Sequence, residues 1–334
     1  MIYKAIINVK NFKNLKFFFN LFYKFNIKDV ILIINNKKIS IKQLRNNFDK
    51  SKNNFFKFKF YFSENFEIEK FINKNKKKIT CFFFYFNSDY FININLFKFT
   101  KATKKNRGSF EFFFKEKNNI AFAIYNNFNL NKNNQAKSIN IKSLNKKNTM
   151  INLKKNSKHQ VNTYFNKIYS RCIFLDRDGV LNIDRGYVGY KKDFRWAEGA
   201  IETIKYLNSK NYNIFVISNQ SGVARGYYKE DDVVNLHNYM RDFLSKRKLY
   251  INQIYFCPFH EDGVVKKYSF KSKFRKPDIG FFYKIKRDWN IKHLKKIYMI
   301  GDQTSDMEFA ANCGIQGLLF QGKRLDRLVK SFVK

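Results

Sequence analysis

Short apolar runs alternate with polar connections through the first 130 residues of the chain. The β-rich runs Lys4–Val9, Asp29–Ile34 and Ile79–Phe86 are typical of buried strands. The segments Asn11–Phe25 and Ile41–Phe48 have the pattern of helices. Alternating β and α elements predict a parallel sheet with helices packed on it.

The pattern becomes sharper after Arg171, where strand, loop and helix repeat. The predicted strands are Cys172–Leu175, Asn213–Ser218, Ile251–Phe256, Lys296–Ile300 and Gln316–Phe320. The predicted helices are Glu198–Asn208, Lys229–Lys246, Asp278–Trp289 and Thr304–Asn312. This order predicts an α/β fold with a doubly wound, Rossmann-like parallel sheet, in which ligands bind beyond the carboxyl ends of the strands.

The turn-forming residues divide the chain unequally. Twelve of the 13 glycines and both prolines follow residue 172. Residues that form tight turns are therefore concentrated in the back half, as expected of a fold with well-defined loops. Residues 131–158 are mostly Asn, Lys, Ser and Gln, a composition typical of a linker. We therefore predict an α/β domain over 1–130, a linker over 131–168 and a second α/β domain over 169–334.

The net charge of +40 suggests a nucleic-acid partner, but the amino-acid composition favours another origin of this charge. Lysine outnumbers arginine about four to one, and the lysines rise together with Phe, Ile, Asn and Tyr while Gly, Pro and Ala are scarce. An A/T-rich coding sequence produces this bias, whereas bidentate phosphate recognition favours arginine. The expected partner is a small anionic substrate, with no specific nucleic acid.

Neither a membrane span nor a secretory signal is expected, because lysines interrupt the first apolar residues and no run reaches about 18 to 20 apolar residues. The four cysteines show no paired spacing, which fits a reduced compartment. We expect a cytoplasmic protein without a membrane partner.

Two carboxylates, Asp176 and Asp178, follow the first strand of the back half and precede Gly179. A carboxylate can attack phosphorus only if the charge of both partners is neutralised, so this chemistry needs a cation such as Mg²⁺ held by oxygen ligands. Taken alone, the same DxDG sequence is also typical of a solvated turn.

Polar side chains also follow the other predicted strands. Ser218 and Asn219 can donate hydrogen bonds to phosphoryl oxygens, although such residues also cap helices. The pair Arg275 and Lys276 can neutralise phosphate, although single lysines in so basic a chain are commonly solvated. Asp302 is a natural additional ligand for Mg²⁺.

One turn after Asp302 comes Asp306. It is either a further ligand or a first-turn acid that the helix dipole favours.

In this order the four motifs resemble the haloacid dehalogenase superfamily of phosphatases. The segments FLDRDGVLNIDRGYV, NQSGVARGYY, CPFH, RKPDIG and GDQTSDM are similar to the D-glycero-D-manno-heptose 1,7-bisphosphate phosphatase branch, which is sister to the histidinol phosphatases. The similarity extends from about Arg171 to Phe320. It implies a hydrolase that removes the C7 phosphate of this sugar in lipopolysaccharide-precursor synthesis.

The resemblance also implies a role for each motif residue. Asp176 is the nucleophile that forms an aspartyl-phosphate, and Asp178 is the general acid and base. The implied phosphate and substrate contacts are Ser218, Asn219, Arg275 and Lys276. The implied Mg²⁺ ligands are Asp176, Asp302 and the backbone carbonyl of Asp178.

The segment after Cys257 departs from a zinc loop that occurs in relatives. Cys257 remains, but Phe259 occupies the histidine position, and Ser272 and Phe274 occupy two cysteine positions. One thiolate with a nearby His260 does not complete a tetrahedral site. We therefore predict that zinc is absent.

The front half weakly resembles a sugar-phosphate nucleotidyltransferase, in which Asp89 would match a metal-binding aspartate. The first strand is not followed by the glycine-rich loop that cradles a triphosphate, so we predict a degenerate domain of this fold without nucleotidyl transfer.

Three alternatives to the heptose phosphatase remain open at this point. A histidinol phosphatase and a nucleic-acid 3′-phosphatase use the same chemistry. A noncatalytic phosphate-binding protein belongs to a different class.

Overall fold

A computed structural model describes two compact units of the chain, Met1–Tyr164 and Phe165–Lys334. The described residues are 4–9, 14–34, 55, 57–62, 83–88, 90–92, 114–116, 119–125, 150–152, 160, 168–291 and 296–333. The predicted linker lies almost entirely outside these residues, as does the helix predicted over Ile41–Phe48. The domain bounds therefore stay a prediction.

The first unit contains a six-stranded sheet in the order β3-β2-β1-β4-β7-β6. Its elements are β1 (Lys4–Val9), α1 (Leu15–Lys24), β2 (Asp29–Ile34), β3 (Lys57–Phe62), β4 (Phe83–Asn87), β5 (Tyr90–Ile92), β6 (Phe114–Glu116), β7 (Asn119–Tyr125) and β8 (Met150–Asn152). Strands β1 to β4 are parallel, β7 and β6 are antiparallel to their neighbours, and β5 pairs with β8.

Aromatic packing closes the core of this first unit. The rings of Phe18 and Phe22 on α1 lie 5.6 Å and 5.1 Å from the ring of Phe86 on β4, measured between centroids. All three side chains are fully buried, as the apolar pattern of these segments predicts.

The second unit is built on a parallel sheet in the order β11-β10-β9-β12-β13. Its strands are β9 (Arg171–Leu175), β10 (Asn213–Asn219), β11 (Gln253–Cys257), β12 (Lys296–Gly301) and β13 (Gln316–Leu319). Its helices are α2 (Ala200–Ser209), α3 (Glu230–Lys246), α4 (Gly280–Asp288), α5 (Thr304–Asn312) and α6 (Leu325–Phe332). The α/β sheet predicted from the sequence is confirmed, and only α6 among these helices was not predicted.

Alternating residues of the central strand β9 face two different helical layers. Ile173 and Leu175 belong to a core cluster that includes residues of α2, α3 and α6. Phe174 points to the other layer, where its ring lies 6.2 Å from Phe282 of α4 and 6.4 Å from Phe309 of α5. Because both faces of β9 are buried, the strand is almost wholly apolar. The polar residues that can take part in chemistry therefore follow the strand directly.

Within the described residues, no helix combines the length and the apolar character needed to cross a bilayer.

Candidate active site

A cavity of about 460 Å³ lies at the carboxyl ends of β9, β10 and β12. Six of the seven predicted site residues line it: Asp176, Asp178, Asn219, Arg275, Lys276 and Asp302. The seventh, Ser218, is 1% exposed, and its Oγ accepts a hydrogen bond of 2.8 Å from the lining residue Gln220. Adjacent parallel strands thus bring together residues that are far apart in the chain.

Lys276 connects two buried carboxylates at the floor of the cavity. Its Nζ lies 2.8 Å from Asp176 Oδ1 and 2.5 Å from Asp306 Oδ1. Burial alone would lower the pKa of Lys276, but the two carboxylates more than offset burial and raise it. Lys276 is therefore a fixed positive charge beside Asp176.

The pKa of Asp176 is raised to about 7. Burial is the largest cause, the charge of Lys276 opposes it, and the charges of Asp306 and Asp178 add to it. Burial and the two neighbouring acids thus bring the pKa of Asp176 close to neutral pH, a common property of catalytic groups. A cation bound beside it would favour the ionised form.

Asp302 at the end of β12 has a buried oxygen, Oδ1, that has no hydrogen-bond partner among the described residues. Burial raises the pKa of Asp302. Ligand atoms of Asp176, Asp302 and Asp306 all lie within 4.8 Å of one another. A cluster of carboxylate oxygens with an unpaired buried acceptor fits a hard divalent cation such as Mg²⁺.

Two of these three acids are better placed as ligands than the third. Asp306 is fully buried, and its Oδ1 is paired with Lys276. Its Oδ2 accepts a hydrogen bond of 3.2 Å from the backbone N–H of Gln303, at the start of α5. The contacts of Asp306 are thus those of a first-turn acid, which leaves Asp176 and Asp302 facing the cation site.

Two glycines make this close packing of acids possible. Gly179 has a φ of +77°, and a Cβ there would lie 2.0 Å from Asp302 Oδ2. A Cβ on Gly301 would lie 2.1 Å from Asp306 Cγ. Any larger residue at either position would displace the neighbouring carboxylate.

The carboxylate of Asp178 is held from three sides. Arg177 Nη2 donates to both of its oxygens, each at 2.8 Å. Asn182 Nδ2 donates to Oδ1 at 3.0 Å, and Gln220 Nε2 donates to Oδ2 at 2.7 Å. Tyr228 in turn donates to Gln220 Oε1 at 2.9 Å. Asp178 therefore has a fixed orientation at the edge of the cavity.

Asn219 holds the backbone of Lys276. Its Nδ2 donates to the Lys276 carbonyl, and its Oδ1 accepts from the Lys276 N–H, both at 3.0 Å. This pairing fixes the loop that carries Arg275 and Lys276 against the end of β10. The side chain predicted to contact substrate thus has a positioning contact as well.

Arg275 is a cation among the residues that line the cavity. Its Nη1 is buried and has no hydrogen-bond partner among the described residues. Burial lowers the pKa of Arg275, with a further contribution from Arg225. An unsatisfied cationic donor beside the cavity suits an anionic substrate.

Aromatic rings pack inside the loop between Cys257 and Phe274, for which the sequence predicts no zinc site. The ring of Phe259 lies 4.4 Å from Phe270 and 5.7 Å from Tyr268. Burial raises the pKa of Cys257, which favours the thiol over the metal-binding thiolate. His260 Nδ1 accepts a hydrogen bond of 3.1 Å from the Asp262 N–H.

Several residues that line the cavity were not singled out from the sequence. Gln220 and Tyr228 lie within the NQSGVARGYY segment, and Tyr187 lies within the segment after Asp178. Tyr187, which lines the cavity, and Tyr227 are about half exposed, and their rings lie 4.6 Å apart. The sequence signal that could have identified Gln220, Tyr228 and Tyr187 was their position inside these two motif segments.

The proposed metal residue of the first unit, Asp89, lies outside the described residues. The neighbouring Ser88 is buried, and its carbonyl accepts a hydrogen bond of 2.8 Å from Asn14. The nucleotidyltransferase likeness of this unit stays a prediction.

Comparison with known proteins identifies relatives of the back half. The family model of polynucleotide kinase 3 phosphatase matches residues 141–319. D-glycero-beta-D-manno-heptose-1,7-bisphosphate 7-phosphatase of Rhodopseudomonas palustris is 41% identical over 157 residues, which are 47% of this chain and 87% of the relative. The alpha-anomer 7-phosphatase of Campylobacter jejuni is 39% identical over 150 residues, 45% of this chain and 81% of the relative.

Among solved structures, the D,D-heptose 1,7-bisphosphate phosphatase of B. bronchiseptica, complexed with magnesium and phosphate, is 26% identical with a TM-score of 0.41. The match covers 48% of this chain and 86% of that one. The family model spans more than half of the chain, and the Rhodopseudomonas relative is matched over most of its length. These matches confirm the family resemblance seen in the motifs, and the chain belongs to the haloacid dehalogenase-like phosphatases.

Proposed function

We propose that this phosphatase removes the C7 phosphate of D-glycero-D-manno-heptose 1,7-bisphosphate through an aspartyl-phosphate on Asp176. The observation that carries the proposal is the contact of 2.8 Å between Asp176 and Lys276, beside Asp302 with its unpaired buried oxygen. Relatives named for hydrolysis of this sugar bisphosphate match the same part of the chain.

In the first step an Asp176 oxygen attacks phosphorus, and the bond between phosphorus and the sugar oxygen breaks. Asp178 gives its proton to the departing sugar oxygen. In the second step Asp178 takes a proton from water, the water oxygen attacks phosphorus, and Asp176 leaves as a carboxylate. Inorganic phosphate is released and both acids return to their starting states.

The surrounding residues supply charge and orientation. Lys276 neutralises the charge that accumulates between carboxylate and phosphate, and Ser218 and Asn219 support the phosphoryl site. Arg275 binds the substrate. Mg²⁺ held by Asp176, Asp302 and the Asp178 backbone carbonyl would supply further neutralisation of phosphoryl charge.

A nucleic-acid 3′-phosphatase is the second candidate. The name of the matching family model favours it, and so does the exposed tyrosine pair, since aromatic rings stack on bases. We favour the sugar because the lysine excess follows the overall composition bias and because relatives named for the sugar bisphosphate are 41% and 39% identical over the back half of the chain. No specific nucleic-acid partner is proposed.

The cytoplasm is the proposed location, where the product would enter lipopolysaccharide-precursor synthesis. Three cysteines of the described residues, Cys172, Cys257 and Cys313, are free thiols, as expected in a reducing compartment.

The test is phosphate release from both anomers of the heptose bisphosphate, from histidinol phosphate and from a 3′-phosphorylated oligonucleotide, at physiological salt. We expect the highest kcat/KM for a heptose bisphosphate, with dependence on Mg²⁺. A higher kcat/KM for the oligonucleotide would establish the second candidate. No release from any ester would leave a noncatalytic phosphate-binding protein.

A further inference from the structure

Arg177 is a buried cation that the chemistry proposed above does not use. It is 0% exposed, although it lies between the two catalytic aspartates in sequence. Its Nη2 donates to both oxygens of Asp178 and to the carbonyl of Val188, and its Nε lies 3.2 Å from Asp178 Oδ1. A guanidinium buried so completely must be paired, and its main partner is Asp178.

The remaining terminal nitrogen of Arg177 reaches a second element of the fold. Its Nη1 lies 3.2 Å from His237 Nε2 on α3. His237 is 4% exposed, and its ring lies 5.3 Å from the ring of Phe256. A guanidinium has only donors, so His237 Nε2 must be the acceptor and the ring proton must be on Nδ1.

The surroundings of His237 favour the neutral ring that this contact requires. Burial holds its pKa well below the ordinary range, and the charges of Arg177 and Arg241 lower it further. A protonated ring would place a second cation against Arg177 Nη1, 3.2 Å away. The contact is therefore compatible with one tautomer of the neutral imidazole.

We propose that His237 is a positioning residue for acid–base catalysis: it orients Arg177, and Arg177 holds the Asp178 carboxylate toward the leaving oxygen. This inference rests on the proposed function, because it assigns Asp178 the proton transfer. Asn182 and Gln220 hold the other sides of the same carboxylate. Without the His237 acceptor, Arg177 loses the hydrogen bond that its Nη1 donates.

The consequence differs between substrates. A sugar alkoxide is a strongly basic leaving group and needs a proton as the ester bond breaks, whereas p-nitrophenolate is weakly basic and leaves without one. The second step, in which Asp178 takes a proton from water, is common to both esters, so the comparison is made on kcat/KM, which reports the first step. A misplaced Asp178 should lower kcat/KM much more for the sugar phosphate than for p-nitrophenyl phosphate. A defect that is only structural would lower kcat/KM equally for both esters.

The test compares His237→Leu, which removes the acceptor, with His237→Gln, which supplies an amide oxygen. For His237→Leu we expect kcat/KM on the heptose bisphosphate to fall about 10- to 100-fold. We expect a loss of kcat/KM below about 3-fold on p-nitrophenyl phosphate, and His237→Gln should recover most of the kcat/KM on the sugar. Equal losses of kcat/KM on both esters, or an unchanged kcat/KM on the heptose bisphosphate, would overturn the inference.

A measurement on the wild-type protein covers the case in which the leucine variant does not fold. Nitrogen-15 NMR of labelled histidine should show a neutral His237 ring protonated on Nδ1. A ring protonated on Nε2 would exclude the contact and overturn the inference. If wild-type protein releases phosphate from neither ester, the proposed function fails, while the tautomer still decides whether Arg177 is held by His237.

Discussion

Lys276 Nζ lies 2.8 Å from Asp176 Oδ1 on one side and 2.5 Å from Asp306 Oδ1 on the other. Asp176 follows β9, Lys276 lies in the loop before α4, and Asp306 lies in α5. One ammonium is therefore shared by two buried carboxylates. Because the negative charge exceeds the positive charge, the group is completed only by a further cation. Burial, together with the charges of Asp306 and Asp178, raises the pKa of Asp176 despite Lys276, and the excess of negative charge fits Mg²⁺.

Lys276→Met should lower phosphatase kcat at least about 100-fold, since it leaves two buried carboxylates without their cation. The measurement is steady-state phosphate release at saturating Mg²⁺. The matched control is Lys273→Met, three residues earlier on the surface, which should keep near wild-type activity. Retention of more than a third of the wild-type kcat by the Lys276 variant would contradict this role.

The pKa of Asp176 predicts how metal-free stability depends on pH. Its folded value of about 7 exceeds the ordinary value of 3.8, so the folded protein binds an extra proton between these pH values. Stability from this group is therefore greatest at low pH and falls as pH rises toward about 7. Asp176→Asn removes this loss and should unfold at a higher temperature than wild type near pH 8.

Thermal unfolding in a chelator, from pH 4 to pH 8, measures this effect. The advantage of Asp176→Asn should grow with pH and reach a few degrees, since about 1 kcal/mol corresponds to about 2 to 4 °C in a domain of this size. The exposed Asp231→Asn is the control and should show a constant difference from wild type. A constant difference for Asp176→Asn would refute the assignment of the raised pKa.

Gly179→Ala should weaken Mg²⁺ binding at least about 10-fold, because the new Cβ would occupy the position of Asp302 Oδ2. The measurement is activity as a function of Mg²⁺ concentration. Gly314→Ala is the matched control. Gly314 also has a positive φ, +64°, but a Cβ added there would meet no other atom within 4 Å. Equal Mg²⁺ dependence of the two variants would mean that backbone strain alone explains the effect.

Phe259→Ala should loosen the loop between Cys257 and Phe274, because the Phe259 ring packs on Tyr268 and Phe270 inside it. Hydrogen exchange of this loop should become faster, whereas Tyr283→Ala, at a 60% exposed position, should leave it unchanged.

Elemental analysis of purified wild-type protein should detect no zinc. One equivalent of zinc that survives dialysis would contradict the prediction.

The sequence predicts the strands of the second unit well because each is an apolar run buried in the sheet. It also predicts Asp176 and Asp302 as neighbours, since carboxyl ends of parallel strands meet at one edge. In the first unit, β3 was missed because its lysines interrupt the apolar pattern. Lys57 and Lys59 are exposed there, and β3 is an edge strand, where such charges are common.

The sequence does not predict contacts that depend on side-chain direction. Asn219 and Lys276 are 57 residues apart, and Arg177 and His237 are 60 residues apart, so only the folded sheet and helices bring each pair together. The packing of Phe259 on Phe270 is likewise invisible in a chain so rich in phenylalanine. Motif spacing predicts the candidate catalytic residues, whereas the groups that orient them depend on tertiary packing.

The most direct test of the central claim is to trap the covalent intermediate. Wild-type protein is mixed with heptose bisphosphate and Mg²⁺, quenched in acid and reduced with borohydride, which converts an acyl phosphate to an alcohol. Peptide mass spectrometry should then find homoserine in place of Asp176, and Asp176→Asn should show neither the product nor phosphate release. Steady turnover with an unmodified Asp176, or a variant that keeps more than about a tenth of wild-type turnover, would contradict the account.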